Sequence, residues 1–517
     1  MAIIDFFDRG WQSNPHGAAY IQDGRRYSFQ DVGALSCRIA NALIAAGFSG
    51  QAKGAVWSDN DVTAWTCTLG LWRVNAAWIP VNARNAAEEN RYVLDAFDCE
   101  IVFFQKAYAA VIETLRPTLP NIRLWICIDG ELPGIQSLTE WVSGAPDSVP
   151  AVEFDMDDTV ALMSTGGTTG KPKGVMNTHR SLQTFIAHFM LACRYGPDER
   201  PVNLAAAPMT HTAGVLSLPC TARGGTVIVI TRPDPALMFS AIENFKVTEV
   251  FLPPTVIYRL LDVPSVTQFD YSSLKYFLYG AAPMSVEKLR QAIEVFGPVM
   301  TGGYGQTEAP ASIANLTPEE HFVGGQIASA ERLSSVGRPN PFIRVEIMDD
   351  KNRVLTCGET GEICVRGDLV MKGYYKEPDK TAETIIDGWL HTGDIGHIDS
   401  QGYLHITDRK KDMIISGGFN VYPSEVEQVI WSHPAVQDCA VIGVPDETWG
   451  EAVKAVVELN AGQHVSAEEL IALCKERLGS VKAPKSVEFA TLPRSTVGKV
   501  LKKDLRNQYW AGLERKI

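Results

Sequence analysis

Apolar residues recur at helical spacing near the start of the chain. Val32, Leu35, Ile39, Leu43 and Ile44 form one stripe, Ser28 and Asp31 stand before it at capping-box spacing, and Gly47 ends it. The continuous apolar runs Ile101-Val102-Phe103-Phe104 and Leu124-Trp125-Ile126-Cys127-Ile128 predict buried strands. Strand-like and helix-like stretches go on alternating, as in 226–230 followed by 238–245, which predicts parallel sheets covered by helices. Past about residue 340 the periods shorten. Segments 344–348 and 362–366 read as strands on either side of the turn cluster Asp349-Asp350-Lys351-Asn352, so a smaller, more antiparallel unit is expected over about 335–408. A compact last unit follows from about 412. There 424–431 is helix-like, 439–444 and 453–459 are strand-like, and Ser466 with Glu469 opens a helix that Gly479 ends. These changes of texture place a domain boundary near Lys411, giving domains over 1–410 and 411–517.

Charge supports that division. The 517 residues carry 47 basic and 60 acidic side chains, a net −13, yet residues 409–517 hold 15 basic and 14 acidic ones. The acidic balance disfavours a nucleic-acid partner, which wants a basic face. The ten cysteines form no C-x-x-C pair and read as small buried hydrophobes in a reducing compartment. The opening segment carries Asp5 and Asp8 where a signal peptide needs positive charge, and the most apolar long window, 62–81, is interrupted by Arg73 and Asn75. A cytoplasmic protein without a membrane span is expected, with room for peripheral membrane contact and a monomeric or homodimeric state.

The most informative segment is Ser164-Thr165-Gly166-Gly167-Thr168-Thr169-Gly170-Lys171-Pro172-Lys173-Gly174-Val175, which follows a strand-like run. Its glycines let the backbone approach a ligand, and its hydroxyls, N–H groups and two ammonium groups suit a polyphosphate. Pro172 stands where a Walker A loop needs Ser or Thr, so the loop is of another type.

This loop resembles the signature of the adenylate-forming superfamily, which includes acyl-CoA synthetases, 4-coumarate-CoA ligases and luciferases. Gly166 replaces that signature's usual Ser. The resemblance runs through nearly the whole chain. Pro208-Met209-Thr210-His211-Thr212-Ala213-Gly214 is similar to the family's histidine motif beside the acyl carboxylate. Tyr279-Gly280-Ala281-Ala282-Pro283 resembles the segment against adenine. In Gly303-Tyr304-Gly305-Gln306-Thr307-Glu308, the resemblance implies that Tyr304 stacks on adenine, Thr307 reaches the α-phosphate and Glu308 holds Mg²⁺. It implies that Asp394 and Arg409 bind ribose, that Lys411 is an interdomain hinge, that Ser416, Gly417, Gly418 and Phe419 line a coenzyme A tunnel, and that Lys499 enters the site during adenylation.

The implied fold is α/β: a large N-terminal domain of stacked αβαβα sheets with a β-rich subdomain, and a small mobile α+β C-terminal domain. The implied chemistry uses ATP, Mg²⁺ and coenzyme A. A carboxylate attacks the α-phosphorus, and a thiol then attacks the acyl-adenylate. Ser164 joins the loop's ATP-binding residues, and Thr165, Thr168, Thr169, Lys171, Lys173, Thr307, Glu308 with Mg²⁺, and Lys499 would stabilise charge in the first half. The resemblance further places Thr212, Val215, Pro254, Tyr258, Gly280, Gly302, Pro310 and Ser312 around the acyl group. These are small or apolar, and Gly302 is expected to open a deep or wide pocket for a medium- or long-chain fatty acid or a bulky ring acid. The thiol is coenzyme A on the first reading and a carrier protein on the second. A luciferase-type oxidase and a non-catalytic relative complete the alternatives.

Overall fold

The computed structural model describes the chain except residues 166–171, 211, 447, 495–499 and 511–517, and the side chains of Thr212 and Asn420. Local signals are met where they were read. The Ser28 hydroxyl accepts from Asp31 N at 3.0 Å while the Asp31 carboxylate accepts from Ser28 N at 3.1 Å, opening the helix Phe29–Ala45. The window 62–81 divides into the buried helix Val62–Arg73 and the strand Ala77–Asn82.

Two large sheets form the N-terminal body. One has nine strands, ordered Arg338–Pro339, Ala314–Leu316, Met300–Tyr304, Tyr276–Gly280, Glu249–Leu252, Val202–Ala205, Thr226–Val229, Ala18–Gln22 and Arg25–Ser28. It is parallel from Met300–Tyr304 to Ala18–Gln22 and antiparallel at both edges. The other has eight, ordered Gly373–Tyr374, Lys173–Thr178, Thr159–Thr165, Ala77–Asn82, Lys53–Ser58, Ile101–Phe104, Leu124–Cys127 and Gln136–Ser137. Only its first three strands are antiparallel. Three indoles, Trp65, Trp72 and Trp78, lock into the core edge to face, with centroids 5.5–6.0 Å apart. Nine of the ten cysteines are buried and all ten are unpaired.

The β-rich unit is an antiparallel sheet of Ile343–Met348, Gly361–Gly367, Ile385–Ile386, Trp389–Ile398 and Leu404–Arg409. The last unit has its own core of Ile414, Val426, Ile430, Val441, Val453 and Leu470. That core lies between a five-stranded sheet and the helices Pro423–Trp431 and Ala467–Lys482. Gly479 ends the regular part of the second helix, as expected. With φ +80° it kinks the chain, and helical structure resumes to Lys482. No described helix is long and apolar enough to cross a membrane.

Candidate active site

In open α/β sheets ligands usually bind at the carboxyl ends of the parallel strands. The expected phosphate loop joins Thr159–Thr165 to Lys173–Thr178, which pair antiparallel with Thr165 opposite Lys173. Gly166, Gly167, Thr168, Thr169, Gly170 and Lys171 lie outside the described residues. At the mouth, the buried Thr165 hydroxyl has no partner among the described residues. Lys173 Nζ sits 3.9 Å from the Tyr374 ring centroid, and Tyr374 OH donates to Glu308 Oε1 at 2.8 Å. Burial, and then the Glu308 charge, raise the Tyr374 phenol well above its ordinary range, so it stays a donor. Asn177 Nδ2 donates to Thr307 O at 3.2 Å, and Met371 N to Glu308 O at 2.8 Å. Tyr374 therefore joins the phosphate-loop strand to the Thr307-Glu308 segment. Sequence reading missed it, because its partner lies 66 residues away.

The residues expected at the nucleoside converge on Asp394, which is 4% exposed. Tyr304 OH and Gln306 Nε2 each donate to its Oδ2 at 2.7 Å, and Arg409 Nε lies 3.1 Å from its Oδ1. Free lone-pair capacity is left on Oδ1 for a ribose hydroxyl. Gly280 cannot carry a side chain, since a Cβ would stand 2.6 Å from Gly303 O. Ala281 holds φ +67°, a left-handed conformation that costs a non-glycine residue energy. Gly305 packs on the turn 309–311.

His211 and the Thr212 side chain lie outside the described residues, but the approach to them is built on a residue not foreseen. Asn60, 6% exposed at the end of Lys53–Ser58, accepts from Met209 N at 2.7 Å and donates to Ala207 O at 2.9 Å and Ile230 O at 3.0 Å. It pins the turn before His211 across the two sheets. The expected acyl residues fall into two packing layers. Val215, on the helix Thr212–Ala222, faces the core between the sheets, while Tyr258, on Pro254–Leu261, belongs to the outer core. Pro254 starts that helix, and Tyr258 OH accepts from Ser285 N at 2.8 Å. The space expected beside Gly302 is filled: a Cβ there would lie 3.0 Å from the Tyr279 hydroxyl and 3.2 Å from Leu316 Cβ. The neighbouring strand supplies the bulk, and Tyr279 is held by His321 at 3.0 Å. Pro310 and Ser312 lie on the turn after Glu308, with the Ser312 hydroxyl donated to Pro310 O at 3.1 Å.

In the last unit, Ser416, Gly417, Gly418 and Phe419 form a hairpin between Ile414–Ser416 and Phe419–Val421. Both glycines have positive φ, +58° and +82°, as a two-residue primed turn requires, and Phe419 is 60% exposed. Lys499 lies outside the described residues. The base of its loop is fixed by Arg494, whose Nη2 lies 2.8 Å from Asp438 and 2.9 Å from Glu458. At the boundary, Arg506 reaches Lys411 O at 3.5 Å and Asp412 at 3.2 Å. Asp408 accepts from Ser424 N at 2.9 Å. Lys502, half-buried, pairs with the buried Glu427 at 2.7 Å. Burial raises the Asp408 carboxyl, and Lys502 partly offsets that.

For Mg²⁺, Glu308 offers hard carboxylate oxygen beside the phosphate loop, and no cluster of three metal-binding side chains occurs among the described residues. One carboxylate, with phosphate oxygens and water completing the shell, fits that ion.

Comparison with known proteins now bears on this geometry. The family described as AMP-binding enzyme matches residues 7–375, and its C-terminal domain matches 425–499. The chain is 42% identical over 383 residues to the medium/long-chain-fatty-acid–CoA ligase FadD8 of Mycobacterium tuberculosis, spanning 72% of this chain and 65% of that protein. It is 35% identical to a feruloyl-CoA synthase of an Amycolatopsis species over 96% of each. Among solved structures, ATP-bound MatB of Rhodopseudomonas palustris superposes with a TM-score of 0.89 at 30% identity, covering 99% of this chain and 100% of that one. The apo form of the same protein gives 0.79, covering 98% and 99%.

Proposed function

The chain belongs to the AMP-binding enzyme family, and from that premise we propose that it is an AMP-forming acyl-CoA ligase acting on a hydrophobic carboxylic acid, a medium- or long-chain fatty acid or an aryl acid. One observation carries the reading: residues of distant motifs meet in contact, Tyr304, Gln306 and Arg409 on Asp394, and Lys173 and Glu308 through Tyr374. The names of the fatty-acid and feruloyl relatives support the acid class.

In the first half-reaction the substrate carboxylate attacks the α-phosphorus of ATP and displaces pyrophosphate. Such transfer depends on positioning and charge stabilisation. Asp394 and Arg409 orient the nucleoside, and Lys171, Lys173 and the loop hydroxyls hold the phosphates. Thr307 contacts the α-phosphate, and Lys499 adds charge from the lid. Glu308 would hold Mg²⁺, which when bound neutralises polyphosphate charge. Asn60 fixes the turn that carries His211 to the acyl carboxylate. In the second half the thiolate of coenzyme A attacks the acyl carbonyl and AMP leaves. The lid, starting at Lys411, turns between halves and presents the Gly417-Gly418 hairpin. The higher score against ATP-bound MatB supports an adenylation orientation here.

The test is AMP release with ATP, Mg²⁺ and a panel of acids, with and without coenzyme A. CoA-dependent turnover is expected; acyl-AMP that accumulates unless a carrier protein is added would replace coenzyme A as the acceptor.

A further inference from the structure

One helix of the last unit is capped from outside that unit. The helix Pro423–Trp431 begins after Tyr422, whose side chain makes no capping hydrogen bond. The first N–H groups of a helix need an acceptor, and a carboxylate suits them because the helix dipole is positive at that end. Asp408 supplies it. Ser424 N donates to Asp408 Oδ2 at 2.9 Å, and the Ser424 hydroxyl donates to Thr407 O. Asp408 is 7% exposed and lies on the strand Leu404–Arg409, opposite Ile395 in the antiparallel sheet that precedes Lys411.

Charges gather at the same place. Lys502, on the helix Lys502–Tyr509, bonds Glu427 Oε1 at 2.7 Å, and its charge opposes the burial that raises the Asp408 carboxyl. Arg506, on the next turn, lies 3.2 Å from Asp412 Oδ1. Of these charged groups Asp408 alone precedes Lys411; Asp412, Glu427, Lys502 and Arg506 follow it. Successive residues of a strand face opposite sides. Arg409 accordingly turns away from the lid, its Nε 3.1 Å from Asp394 Oδ1, while its backbone N donates to Asp408 Oδ1 at 2.6 Å. One strand end thus meets the expected nucleoside residue with Arg409 and the lid with Asp408.

We propose that Asp408 is a positioning residue for the first half-reaction: by capping the lid's first helix across the domain boundary it holds the lid in the orientation seen here, and turning the lid about Lys411 breaks the cap. This rests on the ligase reading above and deepens it, assigning the orientation to one carboxylate outside the nucleotide site. Losing a buried hydrogen bond to a charged group shifts an equilibrium by about tenfold or more.

The experiment measures the two halves separately in the full-length enzyme at saturating substrate: pyrophosphate release from ATP and acid, and thioester formation from supplied acyl-AMP and coenzyme A. Each rate follows the share of molecules in its own orientation, so the ratio of first to second follows the equilibrium between orientations, whichever one dominates. Asp408→Ala is expected to lower that ratio by about tenfold or more. Asp408→Asn keeps the volume and an acceptor but not the charge, and is expected to lower it about threefold. Both halves hold the same nucleoside, so damage passed on through Arg409, or partial unfolding, slows both alike and leaves the ratio where it was. A ratio within about twofold of wild type in Asp408→Ala, or one that rises, overturns the role of Asp408 while leaving the ligase reading intact. Should Asp408→Ala fail to fold, Asp408→Asn decides, and an unchanged ratio there overturns the role. Absence of pyrophosphate release from the wild-type enzyme with every acid would instead remove the ligase reading, and this inference with it.

Discussion

Asn60 offers the most direct test of how the site is built. Asn60→Ala strands three buried backbone groups: the N–H of Met209 and the carbonyls of Ala207 and Ile230. Each buried unsatisfied group costs about 1–3 kcal/mol, so the loss has a floor of about 3 kcal/mol unless water enters. Asn60→Asp keeps an acceptor for Met209 N but sets a carboxylate oxygen against two carbonyls, and should be at least as damaging. Urea unfolding followed by tryptophan fluorescence reads the stability, because Trp65, Trp72 and Trp78 lie in the same domain core. Function is read as acid-dependent ATP–pyrophosphate exchange. A shift of about 1 Å in the turn bearing His211 should slow exchange by about 100-fold. A midpoint change worth less than about 0.5 kcal/mol, with exchange within twofold of wild type, would refute the clamp. Lost stability with unchanged exchange would leave Asn60 structural and separate it from catalysis.

Three further expectations follow from the same structure. Tyr374→Phe removes the donor to Glu308, a bond to a charged group worth about 1.5 kcal/mol or more, so KM for Mg·ATP should rise about tenfold with KM for coenzyme A unchanged; equal rises would place Tyr374 outside the metal site. Lys499→Ala should sharply slow acyl-AMP formation yet spare thioester formation from supplied acyl-AMP, while Lys411→Pro should do the reverse; single-turnover assays of each half separate them. Burial pushes the imidazoles of His179, His188 and His321 down to about 4. Their unfolded forms take a proton near 6.5, so their contribution to stability is full above that pH and is lost as pH falls toward 4. Together they give a slope of about 4 kcal/mol per pH unit. Urea midpoints from pH 7 to 5 should show His321→Gln with a slope lower by about one proton; parallel slopes would contradict this.

What could be read from the sequence was what short spacing encodes. The capping boxes at Ser28 and Ser466 form because both partners lie within one turn of the chain. The alternation of apolar runs gave parallel sheets because each run is buried on its own account. Side-chain pairs that bridge elements were not legible. Asn60 meets Met209 from 149 residues away, and nothing local marks it. Gly302 shows the converse error: a missing side chain was expected to leave room, but Tyr279 and Leu316 from the flanking strands fill it.

The pairing of Thr165 with Lys173 has an electrical consequence. Where a phosphate loop runs from a strand into a helix, the helix terminus contributes about half an elementary charge that is fixed in the backbone. Here the loop is flanked by two antiparallel strands, whose peptide dipoles largely cancel. On the proposed function, attraction for the triphosphate would come from the loop's own N–H and hydroxyl groups and from whole charges: Lys171, Lys173, Lys499 and the metal that Glu308 would hold. In a protein of net charge −13 these form a small positive focus in a repelling field. Salt compresses both the focus and the field to a range of about 8 Å at physiological ionic strength. On that reading nucleotide capture would be tied to the ionic medium and to magnesium, and moving one lysine away with the lid would lower the hold on ATP or AMP.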